Sequence, residues 1–382
     1  MYNSLIILLL LLAVICLSLF ILLFGENPRL KHGIVGSAHR LLTSTIPRSI
    51  QSALRRTLGQ SNLDRLARAW GYTCQSRNPL LQVFFMVLTS VSIGGFLVRA
   101  LPHVPNAYLG RVHLYVIPVQ IIWLYVCYYI ACTADPGTIT SKNIKEHLAL
   151  FPYDGLIFEP KNCSTCDLVK PARSKHCSMC HACIAKADHH CAWLNQCVGY
   201  NNHRFFLLFL FNLTQFCAYG AYLCFQIYSG MIIEWGLDHA YFVDRVTGEH
   251  SPLTYRQSMV HIFQTDRIIG SIGILAIVVS MVVFIFAVYQ VYLAGRGITT
   301  NEAFKWELIQ DAIDRGELWV TDGGDEPMAK KKSRSNGRRQ VKPASPRGRQ
   351  ILSFDEVENV YDRGFFNNLY AVIYPEPLKK KD

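Results

Sequence analysis

Seven cysteines lie between Cys163 and Cys197, in an order that suits metal binding and leaves one thiol over. The stretch runs Cys163-x2-Cys166-x9-His176-Cys177-x2-Cys180-x2-Cys183-x4-Asp188-His189-His190-Cys191-x5-Cys197. Paired x2 spacings with interleaved histidines are zinc-ligand spacing. The spacing leaves the pairing open, but an interleaved arrangement is reasonable. It puts Cys163, Cys166, His176 and Cys183 on one zinc and Cys177, Cys180, His190 and Cys197 on the other. Asp188, His189 and Cys191 then have no metal to bind. A cysteine beside a histidine that is itself backed by an aspartate is the pattern of nucleophile, base and orienting acid. A free thiol is only a few per cent ionised at neutral pH, so His189 would take the Cys191 proton and Asp188 would orient His189. Nearby zinc and basic groups would favour the thiolate further. The plainer alternative is a binding module, such as a membrane-anchored ligase platform, in which Cys191 is a spare ligand. Spacing alone does not separate the two.

Something must hold these residues in place. The 35 residues from Cys163 to Cys197 are too few to build a core of their own. Metal would supply the folding energy, on the order of 10–16 kcal/mol for a cysteine-rich zinc site. The odd number of cysteines speaks against a disulfide framework, provided the segment faces a reducing compartment.

The rest of the chain supports that placement. Of its 382 residues 51% are hydrophobic, and they are clumped. Five stretches free of Asp, Glu, Lys and Arg are about long enough to cross roughly 30 Å of hydrocarbon: residues 4–24, 79–98, 113–132, 205–230 and 268–294. The expected fold is therefore an α-helical multi-span membrane protein of about five transmembrane helices, with a cysteine-rich domain binding two zincs between the third and fourth. If residues 4–24 were a cleaved signal peptide, four spans would remain. No positive charge precedes that stretch and the basic residues come after it, which is the pattern of a retained anchor.

Loop charges orient the spans. Residues 25–78 form a basic loop, with nine Lys/Arg against Asp64 alone between Asn27 and Asn78, and should be cytosolic. The cysteine-rich segment 133–204 is then cytosolic too. The 231–267 loop, with five acids and three bases, is lumenal, and the basic tail 295–382 is cytosolic. Within the first loop Ile46, Ile50, Leu54 and Leu58 recur at spacing four behind Pro47, with Arg48, Arg55 and Arg56 between them. This pattern fits a basic amphipathic helix on the membrane face. Residues 329–350 carry nine Lys/Arg and no acid and are expected to be disordered. In a multi-span protein that charge suits anionic lipid headgroups, not nucleic acid. The net charge of +11 thus reports topology more than any ligand.

Asp188-His189-His190-Cys191 inside this array resembles the signature of the DHHC protein S-acyltransferases, the palmitoyltransferases. Further motifs are similar to the family's, in the family's order. Lys170-Pro171-x-Arg173-x2-His176 falls inside the array, and Cys197-x4-Asn202-x3-Phe206 closes it. Asp135-Pro136-Gly137 comes after the third span, and Thr299-Thr300-Asn301-Glu302 after the fifth. Asn359-x-Tyr361-Asp362-x-Gly364-x3-Asn368-x3-Val372 lies in the tail.

The resemblance implies that Cys191 attacks the thioester of palmitoyl-CoA or another long-chain acyl-CoA, becomes acylated and passes the acyl group to a substrate cysteine. His189 would be the base, Asp188 its partner, and Thr300 a group that helps orient Asp188. His190 would be a ligand of one of two structural zincs. Lys170, Arg173 and Lys175 would meet the CoA phosphates. Most of the family has four spans. The extra N-terminal span and the long basic first loop resemble its fungal spore-wall-formation branch. That implies the endoplasmic reticulum membrane, with substrates that are membrane proteins carrying juxtamembrane cysteines, SNAREs among them.

Overall fold

The computed structural model describes residues 33–46, 60–243, 248–321, 327–329 and 348–377, with isolated positions before residue 53. Most of the expected span at residues 4–24, of the amphipathic stretch 46–58 and of the basic segment 329–350 falls outside the described residues. The chain divides into two compact units, one of residues 77–305 with 357–382, the other of residues 1–76 with 306–356.

The larger unit contains four helices long and apolar enough to cross a membrane: α1 (Leu80–Arg99), α2 (His113–Thr133), α3 (His203–Glu234) and α4 (Arg267–Gly295). In hydrocarbon every backbone amide must be satisfied within the segment, so uncharged runs of this length become helices despite interior breakers such as Pro118 in α2. The helices overrun the charge-free stretches. The 32 residues of α3 take in His203 and Arg204 and continue to Glu234, making a rod of about 48 Å, longer than the hydrocarbon alone requires. Helices α3 and α4 pack closely because small residues line the contact. A Cβ at Gly273 would stand 3.0 Å from that of Cys224.

Two apolar clusters mark the two ends of this bundle. One holds Phe96, Leu109, Ile117, Ile227, Met231, Ile262 and Ile269. Beside it Asp266 caps α4 by accepting from the Ile268 amide at 3.2 Å, and its other oxygen takes Arg99 at 2.8 Å. The second cluster joins Leu124, Tyr128 and Ala131 of α2, Phe206, Phe209, Leu210 and Leu213 of α3 and Ala287 of α4 with Cys191, Leu194 and Val198 of the cysteine-rich segment. That segment is a set of short antiparallel hairpins: Asn162–Cys163 with Leu168–Val169, Lys175–Cys177 with Ala182–Ile184, and His189–Cys191 with Gln196–Val198.

The end of α4 positions the next helix. Gly297 takes the left-handed conformation (φ 67°). Its amide donates to Ala294 O at 3.0 Å and that of Ile298 to Leu293 O at 3.1 Å, the paired bonds of a Schellman stop. The chain reverses there and starts α5 (Thr300–Asp314). Nearer the C-terminus, α6 (Phe365–Ile373) packs Val372 and Leu369 on Leu207, Val291 and Ala294. The Asn368 amide donates to Gly295 O at 2.9 Å.

In the smaller unit a three-stranded antiparallel sheet has Leu318–Thr321 at its centre, paired with Pro327–Ala329 and Gly348–Gln350. Leu318 and Ile351 are fully buried there. The two outer strands include both ends of the segment expected to be disordered. Backbone pairing asks nothing of side-chain hydrophobicity, so a basic composition did not prevent it.

At Gly297 a Cβ would be strained by the positive φ and would meet Tyr361 O at 2.9 Å. Gly297→Ala should lower stability by about 1–2 kcal/mol, seen as an earlier thermal transition in detergent. A variant as stable as the parent would mean the turn is not so constrained.

Candidate active site

The structure brings the metal-type residues into two groups. Cys163, Cys166, His176 and Cys183 form one; Cys177, Cys180, His190 and Cys197 form the other. Within each, the donor atoms all lie within 4.8 Å of one another. Cys166 Sγ is 3.3 Å from His176 Nδ1, Cys180 Sγ is 3.6 Å from Cys197 Sγ, and Cys177 Sγ is 3.6 Å from His190 Nδ1. A tetrahedron with zinc–sulfur bonds of about 2.3 Å has edges of about 3.8 Å, slightly less where nitrogen replaces sulfur. All seven cysteines are free thiols. Each set therefore fits one tetrahedral zinc with no position left open. His181 stands in the same window but is exposed at a hairpin turn and belongs to neither group.

Strand geometry then separates the two neighbouring histidines. His189, His190 and Cys191 form one strand of a hairpin, paired with Val198, Cys197 and Gln196 in turn. Successive side chains on a strand point to opposite faces. His190 joins the second metal group, so His189 and Cys191 share the other face. The His189 ring meets Phe206 edge to face at 5.2 Å. Its Nδ1 lies 2.6 Å from Asp188 Oδ2.

Asp188 is 2% exposed and its carboxylate is saturated. The Thr300 amide donates to Oδ1 at 2.7 Å and the Thr300 hydroxyl to Oδ2 at 2.9 Å. Burial alone would raise this carboxyl, but the His189 and Thr300 hydrogen bonds and nearby positive charge hold it well below the usual carboxylate range. An ionised carboxylate only accepts, so His189 donates from Nδ1 and leaves Nε2 to accept a proton. Burial also works against a charged His189, yet the bonds to Asp188 and Cys191 outweigh it and push the imidazole up to about 10. The ring beside Cys191 is thus a strong proton acceptor.

Thr300 reaches Asp188 because a buried clasp holds the start of α5 against the cysteine-rich segment. Arg173 Nε donates to Glu302 Oε1 at 2.7 Å, while its terminal nitrogen donates to Glu302 Oε2 and, at 2.8 Å, to Gly297 O. Both side chains are almost fully buried. Tyr361 and Phe151 cover the guanidinium, with ring centroids at 4.6 and 5.1 Å. The Thr299 hydroxyl donates to Ala187 O at 3.2 Å, next to Asp188. Arg173, expected at a CoA phosphate, is placed here as an internal tie.

On the other side the hairpin is fixed to α2. Gln196 Nε2 donates to Ala131 O at 2.6 Å and Tyr128 donates to Trp193 O at 2.9 Å. Asp135 accepts from the Gly137 amide at 3.1 Å and from Asn201 at 3.2 Å, which ties the loop after α2 to the approach of α3.

Cys191 is 8% exposed, at the head of the apolar cluster made by α2, α3 and α4. A cavity of about 860 Å³ opens between α1 and α2, lined by Gln82, Met86, Ser90, Tyr125, Tyr128 and Cys132 among others. Met86, Tyr128 and Cys132, which line it, also pack in the apolar cluster that contains Cys191. The remaining basic residues gather elsewhere. Lys305 sits over the Phe158 ring at 3.8 Å. Burial, and behind it the charge of Lys161, Lys170 and Lys175, brings it down to about 8 against the pull of Glu302. Lys161 and Lys305 join this patch unannounced by any motif. Only the density of lysines around the signature hinted at it.

A thiol beside a histidine–aspartate pair, framed by two Cys3His groups and set at the ends of helices long enough to cross a membrane, is an arrangement that suits a membrane-bound acyl-transfer enzyme. Residues 157–307 match the family model described as DHHC palmitoyltransferase. The chain is 30% identical over 367 residues to "Palmitoyltransferase swf1" of Schizosaccharomyces pombe, covering 96% of this chain and 95% of that protein. It is 31% identical to "Palmitoyltransferase SWF1" of Candida albicans (92% and 94% covered) and 30% identical to "Palmitoyltransferase ZDHHC4" of Mus musculus (76% and 81%). The chain belongs to the DHHC palmitoyltransferase family and is a multi-pass membrane protein with protein S-palmitoyltransferase activity.

The two histidines should separate experimentally. His190→Ala should lose about half the bound zinc and unfold, whereas His189→Ala should keep its zinc and acylate slowly, by metal analysis beside an acylation assay. Equal zinc in both would undo the ligand assignment. Arg173→Met leaves Glu302 buried without its partner and should cost about 3–5 kcal/mol, read by thermal unfolding. Arg173→Lys should recover only part of this, because an ammonium cannot make the bidentate contact.

Proposed function

We propose that this chain moves a long-chain acyl group from acyl-CoA to cysteines of membrane proteins through an acyl-Cys191 intermediate, by a ping-pong route. The observation that carries the reading is the Asp188–His189–Cys191 arrangement at the head of an apolar cluster. His189 Nε2 takes the thiol proton, and the Cys191 sulfur attacks the thioester carbonyl carbon. The carbon–sulfur bond to CoA breaks, and the CoA thiolate leaves with the proton from His189. In the second half a substrate thiol gives its proton to His189 and displaces Cys191 from the acyl carbon. Asp188 keeps the ring oriented and stabilises the imidazolium, while Thr300 orients Asp188. The two zincs fix the backbone around these groups and take no part in bond making.

Two features support the co-substrate. The cavity between α1 and α2, whose lining shares Met86, Tyr128 and Cys132 with the Cys191 cluster, suits the acyl chain. The patch of Lys161, Lys170, Lys175 and Lys305 suits the CoA phosphates, and Arg173 acts as a tie within the fold. The loop charges favour a cytosolic active site and a further span at residues 4–24. A nucleophile at the membrane edge suits substrates whose cysteines flank a span, SNARE-like proteins among them, and the likeness to the fungal relatives favours the endoplasmic reticulum. Imaging a tagged copy in its native cell tests that location.

Purified protein incubated with labelled palmitoyl-CoA should take up hydroxylamine-sensitive label, and Cys191→Ala should take up none. Wild type that binds two zincs yet stays unlabelled would rule out the acyl-enzyme. Lys305→Met should raise the half-saturating acyl-CoA concentration severalfold, read from acylation over a range of palmitoyl-CoA concentrations. An unchanged half-saturating concentration would place Lys305 outside the phosphate site.

A further inference from the structure

Gln290 lies in α4, one turn before its end, and is 1% exposed. Its Nε2 is 3.1 Å from Thr300 Oγ1, and its Oε1 is buried with no partner among the described residues. A buried amide with one unmet acceptor is unfavourable for folding, so a merely space-filling role would be served better by an apolar side chain.

The proton count fixes the sense of the contact. Thr300 has one hydroxyl proton. Asp188 is an acceptor only, and its Oδ2 lies 2.9 Å from that hydroxyl, so the proton points to Asp188. The Thr300 oxygen can then only accept from its remaining neighbour, and Gln290 must present its N–H. The four groups form a one-way chain, with Gln290 donating to Thr300 and Thr300 to Asp188, while Asp188 accepts from His189 Nδ1. A side chain that accepted at position 290 would compete for the Thr300 proton and draw it off Asp188.

We propose that Gln290 is a positioning residue for acyl transfer: by donating to Thr300 it keeps the Thr300 hydroxyl turned to Asp188, and so keeps His189 in the tautomer that can take the Cys191 proton. Gln290 touches neither acyl-CoA nor the thiol and acts through Thr300. The proposal rests on Cys191 as the acylated residue, which wild-type labelling in the same experiment reports on separately.

The test is single-turnover acylation of the full-length chain over a range of palmitoyl-CoA concentrations, with zinc content and thermal transition measured on each variant. Gln290→Met should lower the saturating rate about two- to tenfold, the weight of one neutral hydrogen bond, with the half-saturating concentration unchanged and both zincs retained. Gln290→His, which can donate from Nε2 at about the same reach, should restore most of the rate. Combined with Thr300→Ala, Gln290→Met should have no further effect. A Gln290→Met enzyme as fast as wild type overturns the proposal, as does a loss that adds in full to that of Thr300→Ala.

Discussion

The period of two along a β-strand is the constraint on which this active site depends. His189, His190 and Cys191 are consecutive, and in most other backbone conformations they would compete for the same surroundings. In an extended hairpin they cannot. Once His190 is drawn to Cys177, Cys180 and Cys197, the flanking residues must face the other way, and that way lies Phe206 and the apolar cluster. The metal-type group and the His189–Cys191 pair thus lie on two faces of one three-residue strand. The metal-type groups do not include Asp188, His189 or Cys191, but they set the register that brings those side chains together.

A second device joins this strand to the membrane helices. The buried Arg173–Glu302 pair removes two charges from water, which is costly unless each is well bonded. Here the fork of the guanidinium matches the carboxylate, a backbone carbonyl takes the next N–H, and two aromatic faces cover the cation. Such a contact tolerates little displacement. It holds the turn after α4 in register with Ala187 and Asp188, so that the Thr300 amide and hydroxyl both meet one carboxylate. Geometry near the thiol is therefore set jointly by a cysteine-rich hairpin and by the end of a helix far along the chain.

Much of this was legible in the residues. Charge-free runs marked the four long apolar helices to within a few residues, because hydrocarbon-spanning backbone has so few alternatives. The start of α3 came out two residues early, at His203, since a turn in which Asn202 accepts from the Gly199 amide launches the helix before the charge-free run begins. The leftover trio Asp188, His189 and Cys191 was visible from counting ligands. What could not be read were contacts between residues far apart. Arg173 and Glu302 are 129 positions apart, and nothing in a Lys-Pro-x-Arg stretch says whether its arginine faces a phosphate or a glutamate. Gln290 was invisible for a related reason, since a single amide in an apolar run looks like tolerated noise until its neighbour is known. The strands at Pro327–Ala329 and Gly348–Gln350 escaped notice because composition informs on side chains, and their pairing is made by backbone.

Asp188 and the threonine that bonds to it are 112 residues apart, with two helices long enough to cross a membrane between them. During synthesis the cysteine-rich segment emerges complete, able to gather its metals, well before Thr300 exists. Until α3 and α4 are laid down and the chain turns at Gly297, Asp188 lacks two of its three donors and Arg173 lacks its carboxylate. A truncated or half-inserted chain thus holds the whole signature but not the geometry. The protein carries its own proof of completion, with the bonds around Asp188 closed only by a part of the chain made after the intervening helices.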